Sequence, residues 1–179
     1  MHCAVPSQFQ LQKGCFVVHS RIFQVSKGPI APEELLSKLS IPEYFTSGIA
    51  DYLDEVDDRD GELDYFIESE QGILEAGAEH HTFRLAQQGR ENYFRDKYKQ
   101  FQELCARIMK ATLEDFIGRE PRPWDQRFSF LMYQLNDAYC DRYGYYIFED
   151  EELMPYCEWM RGADPEAVYY LGNVLDYHF

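Results

Sequence analysis

The sequence predicts an α+β domain: a small N-terminal antiparallel β-sheet, a hairpin or meander over residues 8–26, followed by a mostly helical body over 32–179. Three observations predict it. Near the N-terminus, apolar residues alternate with polar ones in the manner of half-buried strands. From Pro29 onward the apolar spacing lengthens to three and four residues, the period of a helix with one buried face. Finally, the 179 residues are 45% hydrophobic and 16% aromatic, enough core for a single domain over 1–179 and too much for a disordered acidic chain.

The elements follow in order. In "QFQLQKGCFVVHSRIFQVS", Phe9 and Leu11 alternate with Gln, Lys13-Gly14 marks a turn, and the runs Cys15 to Val18 and Ile22 to Val25 read as strands. "APEELLSKLS" opens with proline and acids, the signature of a short helix start. Ser40 is the expected N-cap of a second helix that begins at Pro42. It places Phe45, Ile49, Tyr52, Leu53 and Val56 on one face. Residues 57–61 are a turn closed by Gly61, and "ELDYFIES" fits a strand or a helix equally. Phe94, Tyr98, Phe101, Leu104, Ile108, Leu113 and Phe116 then predict a long helix over about 91–117, with Gly118 at its C-terminal cap. The prolines of "REPRPW" form a loop. A helix over about 124–142 follows, ended by Gly144, then a short one near 150–160. A last helix starts at "ADPEAVYYL", with Asp164 as N-cap and Pro165 in its first turn.

Charge is the most unusual property. The formal net charge is -15, and residues 51–70, "DYLDEVDDRDGELDYFIESE", hold ten carboxylates and one Arg. Residues 1–83 are net -10 and residues 128–179 net -8, while residues 84–127 are net +3. On the helix expected from Pro42, Asp51, Asp54, Glu55 and Asp58 fall at steps of three and four. Like charges so placed cost a few tenths of a kcal/mol per pair, so their accumulation asks for a purpose. A second cluster, Glu149, Asp150, Glu151 and Glu152, is in part explained by a helix dipole if a helix starts there.

The expected purpose is contact with a basic partner. A row of carboxylates copies a row of phosphates, and the summed field steers the chain toward a basic nucleic-acid groove. The predicted partner-binding residues are Asp51, Asp54, Glu55, Asp57, Asp58, Asp60, Glu62, Asp64 and the 149–152 cluster, with Tyr52 and Tyr65 as aromatic anchors. By analogy alone this is the logic of the anti-restriction and anti-CRISPR proteins of phages and mobile elements. The expectation is a non-enzymatic inhibitor of a nuclease or another DNA- or RNA-binding protein, without cofactor. The negative charge argues against direct binding of nucleic acid or of anionic membranes.

Other chemistries are weaker. "DDRDGELDYFIE" resembles part of an EF-hand loop at Asp58, Asp60 and Gly61. With Gly61 in the glycine position, however, the first and twelfth ligand positions hold Val56 and Ile67, and Glu68 comes one residue late. A calcium-binding protein or a metal-dependent hydrolase is the alternative reading. Glu75, Glu79, His80 and His81 form a second candidate group, but adjacent histidines on a helix point about 100° apart and cannot share one ion. The five cysteines lack paired ligand spacing, the only weak signals being His2-Cys3 and Cys15 with His19. Neither a nucleophile elbow nor a glycine-rich phosphate loop is present. No apolar run reaches the roughly 18 residues of a membrane span, and no secretory signal is visible, so a reducing, cytoplasmic setting is expected.

Overall fold

In the computed structural model, residues 19–118 and 123–179 are described. They form a seven-stranded mixed sheet, curled into a half-barrel, with six α-helices. The strands are β1 (His19–Ser26), β2 (Tyr52–Glu55), β3 (Leu74–Ala76), β4 (Thr82–Leu85), β5 (Tyr146–Glu149), β6 (Glu152–Pro155) and β7 (Tyr169–His178). The helices are α1 (Glu43–Gly48), α2 (Arg59–Ser69), α3 (Gly89–Met109), α4 (Leu113–Ile117), α5 (Phe128–Cys140) and α6 (Tyr156–Gly162). This corrects the expected fold class: the sheet is not a small N-terminal unit preceding a helical body, because its strands come from the whole chain. The strands expected within residues 8–18 lie outside the described residues.

The sheet is built around its C-terminal strand. Strand order is β3-β4-β7-β1-β5-β6, and β2 shares with β4 the edge of β7 that faces away from β1. β1 pairs antiparallel to β7 and parallel to β5, with Ile22 opposite both Leu175 and Tyr146. "YYLGNVLDYH" was the expected C-terminal helix. It is instead the central strand, and its Tyr, Val and Leu content suits burial on both faces. Asp164-Pro165 forms a turn before it: Asp164 Oδ1 accepts from the Glu166 N–H at 3.0 Å, the use of Asp that competes with helix capping.

Four other expected helices are also altered. The one from Pro42 ends at Gly48, and Tyr52–Glu55 pairs with Leu175–His178 of β7. Hydrogen bonds to an available strand edge replace those the helix would have made. The helix expected near 150–160 is a hairpin, β5–β6, followed by α6. "APEELLSKLS" makes two single 3₁₀ turns, Pro32–Glu34 and Lys38–Ser40. The long amphipathic segment is interrupted at Lys110–Thr112, and Gly118 caps α4 in the left-handed conformation, φ 72°.

Both sheet faces are covered. On one, Leu63 and Phe66 of α2 and Trp159 and Met160 of α6 pack on Phe23, Phe83, Ile147, Tyr169 and Val174. On the other, Leu36, Ile41 and Phe45 pack on Ile22, Tyr146, Leu175 and Tyr177. Neighbours Ile22 and Phe23 face opposite cores, as the pleat requires. Among the described residues no helix is long and apolar enough to cross a membrane.

Candidate functional site

The acidic stretch divides at Asp58. Before it, the residues lie on and beside an edge strand rather than on a helical ridge. Asp51 Oδ1 is 2.5 Å from His178 Nδ1 on β7. The Tyr52 ring stacks on the His178 ring at 4.5 Å, and its hydroxyl donates to Asp54 Oδ2 at 3.1 Å. Asp54 also accepts from Lys38 Nζ at 2.8 Å, and that hydrogen bond holds its carboxyl below the usual range. Glu55 accepts from Asn173 Nδ2 at 3.2 Å. These four side chains fasten β2 to its surroundings, and the helical acid ridge expected over 51–58 does not form.

After it, the chain is helical and the acids change role. Asp58 is the N-cap of α2, its Oδ1 accepting from the Gly61 N–H at 3.0 Å. A Cβ on Gly61 would lie 2.4 Å from Asp58 Oδ2, so the glycine makes room for the cap. The D-x-D-G stretch is therefore a helix start, and it lacks the ligand loop of an EF-hand, in which these positions precede the helix. Asp60 pairs with Arg59 at 2.6 Å, and Glu62 turns inward to Arg21 at 2.7 Å. Asp60 and Glu62 also sit in the first turn, where the helix dipole favours negative charge.

One face of α2 remains outward and acidic. Asp60, Asp64 and Glu68 recur every four residues and are all exposed, with Asp57 and Asp58 beyond the N-terminus. Tyr65 is 59% exposed beside them. Behind this face, Leu63 and Phe66 are wholly buried, each worth about 1.5–3 kcal/mol of burial, and they fix the helix to the sheet. Asp64 Oδ1 faces two imidazoles of the β3–β4 turn, His80 Nε2 at 3.3 Å and His81 Nε2 at 3.4 Å. Burial and the neighbouring His80 push the His81 pKa below its ordinary value, against the opposing pull of Asp60 and Asp64.

The second predicted cluster is a hairpin tip. Asp150 and Glu151 are the two turn residues between β5 and β6, with φ of 51° and 64°, and Glu152 is exposed. Glu149 accepts from Trp159 Nε1 at 2.9 Å, and burial raises its pKa. Asp150 and Glu151 line an open groove of about 680 Å³, together with Glu33, Glu34, Val25, Leu35 and Phe148. So the predicted carboxylates do not converge on one surface; they divide among an edge strand, the face of α2 and this groove.

Two features escaped the sequence reading. Glu68 completes the α2 face, and its spacing from Asp60 and Asp64 is visible once "ELDYFIES" is read as helix. His80 and His81 lie in a turn with His81 in the left-handed region, where the helical divergence expected of adjacent histidines does not apply. Comparison with known proteins adds no assignment: no protein-family model, curated protein or solved structure matches the chain.

Proposed function

We propose that this chain is an acidic, non-enzymatic binding protein whose partner is the basic nucleic-acid groove of a nuclease or another DNA- or RNA-binding protein. The logic is that of anti-restriction and anti-CRISPR inhibitors, in a cytoplasmic setting. The observation that carries the reading is the exposed face of α2, with Asp60, Asp64 and Glu68 in one line. Steps of four residues rise about 6 Å along a helix, close to the roughly 7 Å between alternate phosphates of one strand. The Arg59–Asp60 pair on this face is solvent-exposed, contributes little, and exchanges readily for the partner's Lys and Arg. Tyr65 supplies an aromatic contact beside the charged line, the composition that carries affinity in such interfaces. The acidic groove beside Asp150 and Glu151 offers a second place for a basic side chain.

The test is capture of basic proteins from a lysate on the immobilised chain, at low and then high ionic strength. The expected result is a nucleic-acid-binding protein that is retained, is released by salt, and competes with DNA or RNA. The variant Asp57→Lys, Asp60→Lys, Glu68→Lys leaves the core untouched and should lose at least about tenfold in affinity, as expected for fully reversed steering charges. Retention that ignores both salt and this variant overturns the proposal.

A further inference from the structure

We propose that Asp64, His80 and His81 form a binding site for a divalent transition-metal ion of the zinc type. The site is assembled by two elements, and only the two imidazole rings need splay apart from their stack to share an ion. Asp64 stands mid-helix on the exposed face of α2. The histidines stand at the end of the turn joining β3 to β4, which is clasped on itself. Gly77 N–H donates to the Thr82 carbonyl at 2.7 Å, and Thr82 Oγ1 donates to the Glu79 carbonyl at 2.6 Å.

The backbone of His81 is the decisive feature. Its φ is 55°, in the left-handed region that a non-glycine residue rarely occupies, and its carbonyl accepts from the Leu171 N–H of β7 at 2.8 Å. Residues held in such conformations gather at functional sites. Here the consequence is geometric. In a strand, neighbouring side chains point to opposite faces, and in a helix they diverge by about 100°. The left-handed residue instead brings the two imidazoles together, stacked with centroids 3.7 Å apart and planes at 30°. Both Nε2 atoms then lie within 3.4 Å of the same carboxylate oxygen.

The distances from Asp64 to the two histidines suit an ion. Zinc bonds to imidazole nitrogen and carboxylate oxygen at about 2.0–2.1 Å, so in a tetrahedral site any two ligand atoms are about 3.3–3.4 Å apart. Asp64 Oδ1 is 3.3 Å from His80 Nε2 and 3.4 Å from His81 Nε2, and one ligand atom from each residue falls within 4.8 Å of the others. His81 Nε2 is buried and has no hydrogen-bond partner despite the carboxylate opposite it. A buried polar atom of this kind calls for a partner, and a shared cation supplies one.

The donor set selects the metal class. Two imidazoles and one carboxylate suit zinc and its first-row neighbours, whereas calcium and magnesium prefer all-oxygen sites. Three protein ligands leave a fourth position to solvent. Asp60 Oδ1 lies 4.0 Å from His81 Nδ1 on the other side of the ring and is held by Arg59, so it flanks the site without completing it.

The experiment is zinc titration of the purified, tag-free chain by calorimetry, alongside its melting temperature, and needs no partner protein. One zinc per chain and a zinc-dependent rise in melting temperature are expected, with neither calcium nor magnesium displacing the ion. His80→Ala, at a side chain 70% exposed, cannot disturb the core. His81→Asn keeps a residue that tolerates the left-handed backbone. Each of these and Asp64→Asn should weaken binding at least about tenfold, the loss seen even for residues that only orient a ligand. Absence of zinc binding in the unmodified chain overturns the proposal, and so does unchanged affinity in both His80→Ala and Asp64→Asn.

Discussion

Gln24 shows how one side chain sets the course of the central strand. Phe23 pairs with Val174 and Val25 with Leu171, so β7 carries one residue more than β1 across this interval, a β-bulge. Gln24 fills the irregularity. Its Oε1 accepts from Leu36 N–H at 2.8 Å and Asn173 N–H at 3.0 Å, and its Nε2 donates to the Glu34 carbonyl at 2.7 Å. Gly172 leaves room for it, because a Cβ there would lie 2.3 Å from Gln24 Oε1 and displace the amide. On the outer side, Arg59 Nε donates to the Gly172 carbonyl at 3.0 Å, in the gap that β4 and β2 leave along the edge of β7. Replacing Gln24 by Leu keeps the volume and strands these backbone groups, which should cost about 2–3 kcal/mol. A lowered midpoint of urea unfolding with an unchanged slope would register it. Gly172→Ala should act in the same direction by displacing the Gln24 amide. A midpoint unmoved in both variants would mean that the bulge is held by something other than this side chain.

At the scale of elements, periodicity identified what local sequence controls and failed where a distant partner decides. The 91–117 segment reads as helix because its apolar residues follow the helical period, and α3 and α4 occupy it with Gly118 as the cap. "LDEV" and "YYLGNVLDYH" contain no such instruction about pairing. The first becomes a strand because the edge of β7 offers it hydrogen bonds, and the second because β1, β2 and β4 surround it. The candidate site divides in the same way. The spacing of Asp60, Asp64 and Glu68 was in the sequence, whereas the meeting of Asp64 with His80 and His81 depends on how the β3–β4 turn docks on α2. The β5–β6 hairpin was missed for a further reason: its turn is Asp150-Glu151, without the Asn-Gly or Asp-Gly pair that signals such a turn. A non-glycine residue in the left-handed region costs about 1 kcal/mol or more. Glu151→Gly should therefore stabilise the protein by about 0.5–1 kcal/mol, seen as a raised unfolding midpoint. A lowered midpoint would show that the Glu151 side chain itself contributes to the native state.

At the scale of the whole molecule, an excess of carboxylates must be placed, and some are placed in costly positions. Glu70 follows the last residue of α2, and burial raises its pKa, with Asp141 reinforcing the effect and Lys97 and Tyr156 opposing it. Asp141 in turn accepts from Lys97 Nζ at 2.6 Å and from the Tyr93 hydroxyl at 3.2 Å. Burial likewise raises Asp137 on α5 and Glu149 at the end of β5. A carboxyl whose pKa is raised on folding binds its proton more tightly in the native state than in the unfolded chain. Its contribution to stability is therefore most favourable at low pH and declines as pH rises from the unfolded pKa through the folded one. Glu70, Asp137 and Glu149 share this sign, so the protein should gain stability on mild acidification from neutrality, until the ordinary carboxylate range is reached and the Lys38–Asp54 pair, which holds the Asp54 carboxyl below that range, begins to be lost. Glu70→Gln removes the buried charge while keeping the shape of the side chain. It should raise the melting temperature at neutral pH, leave it nearly unchanged in acid, and flatten the profile between. Parallel pH profiles for the two proteins would place the acid-side gain elsewhere and show that Glu70 is already compensated by Lys97.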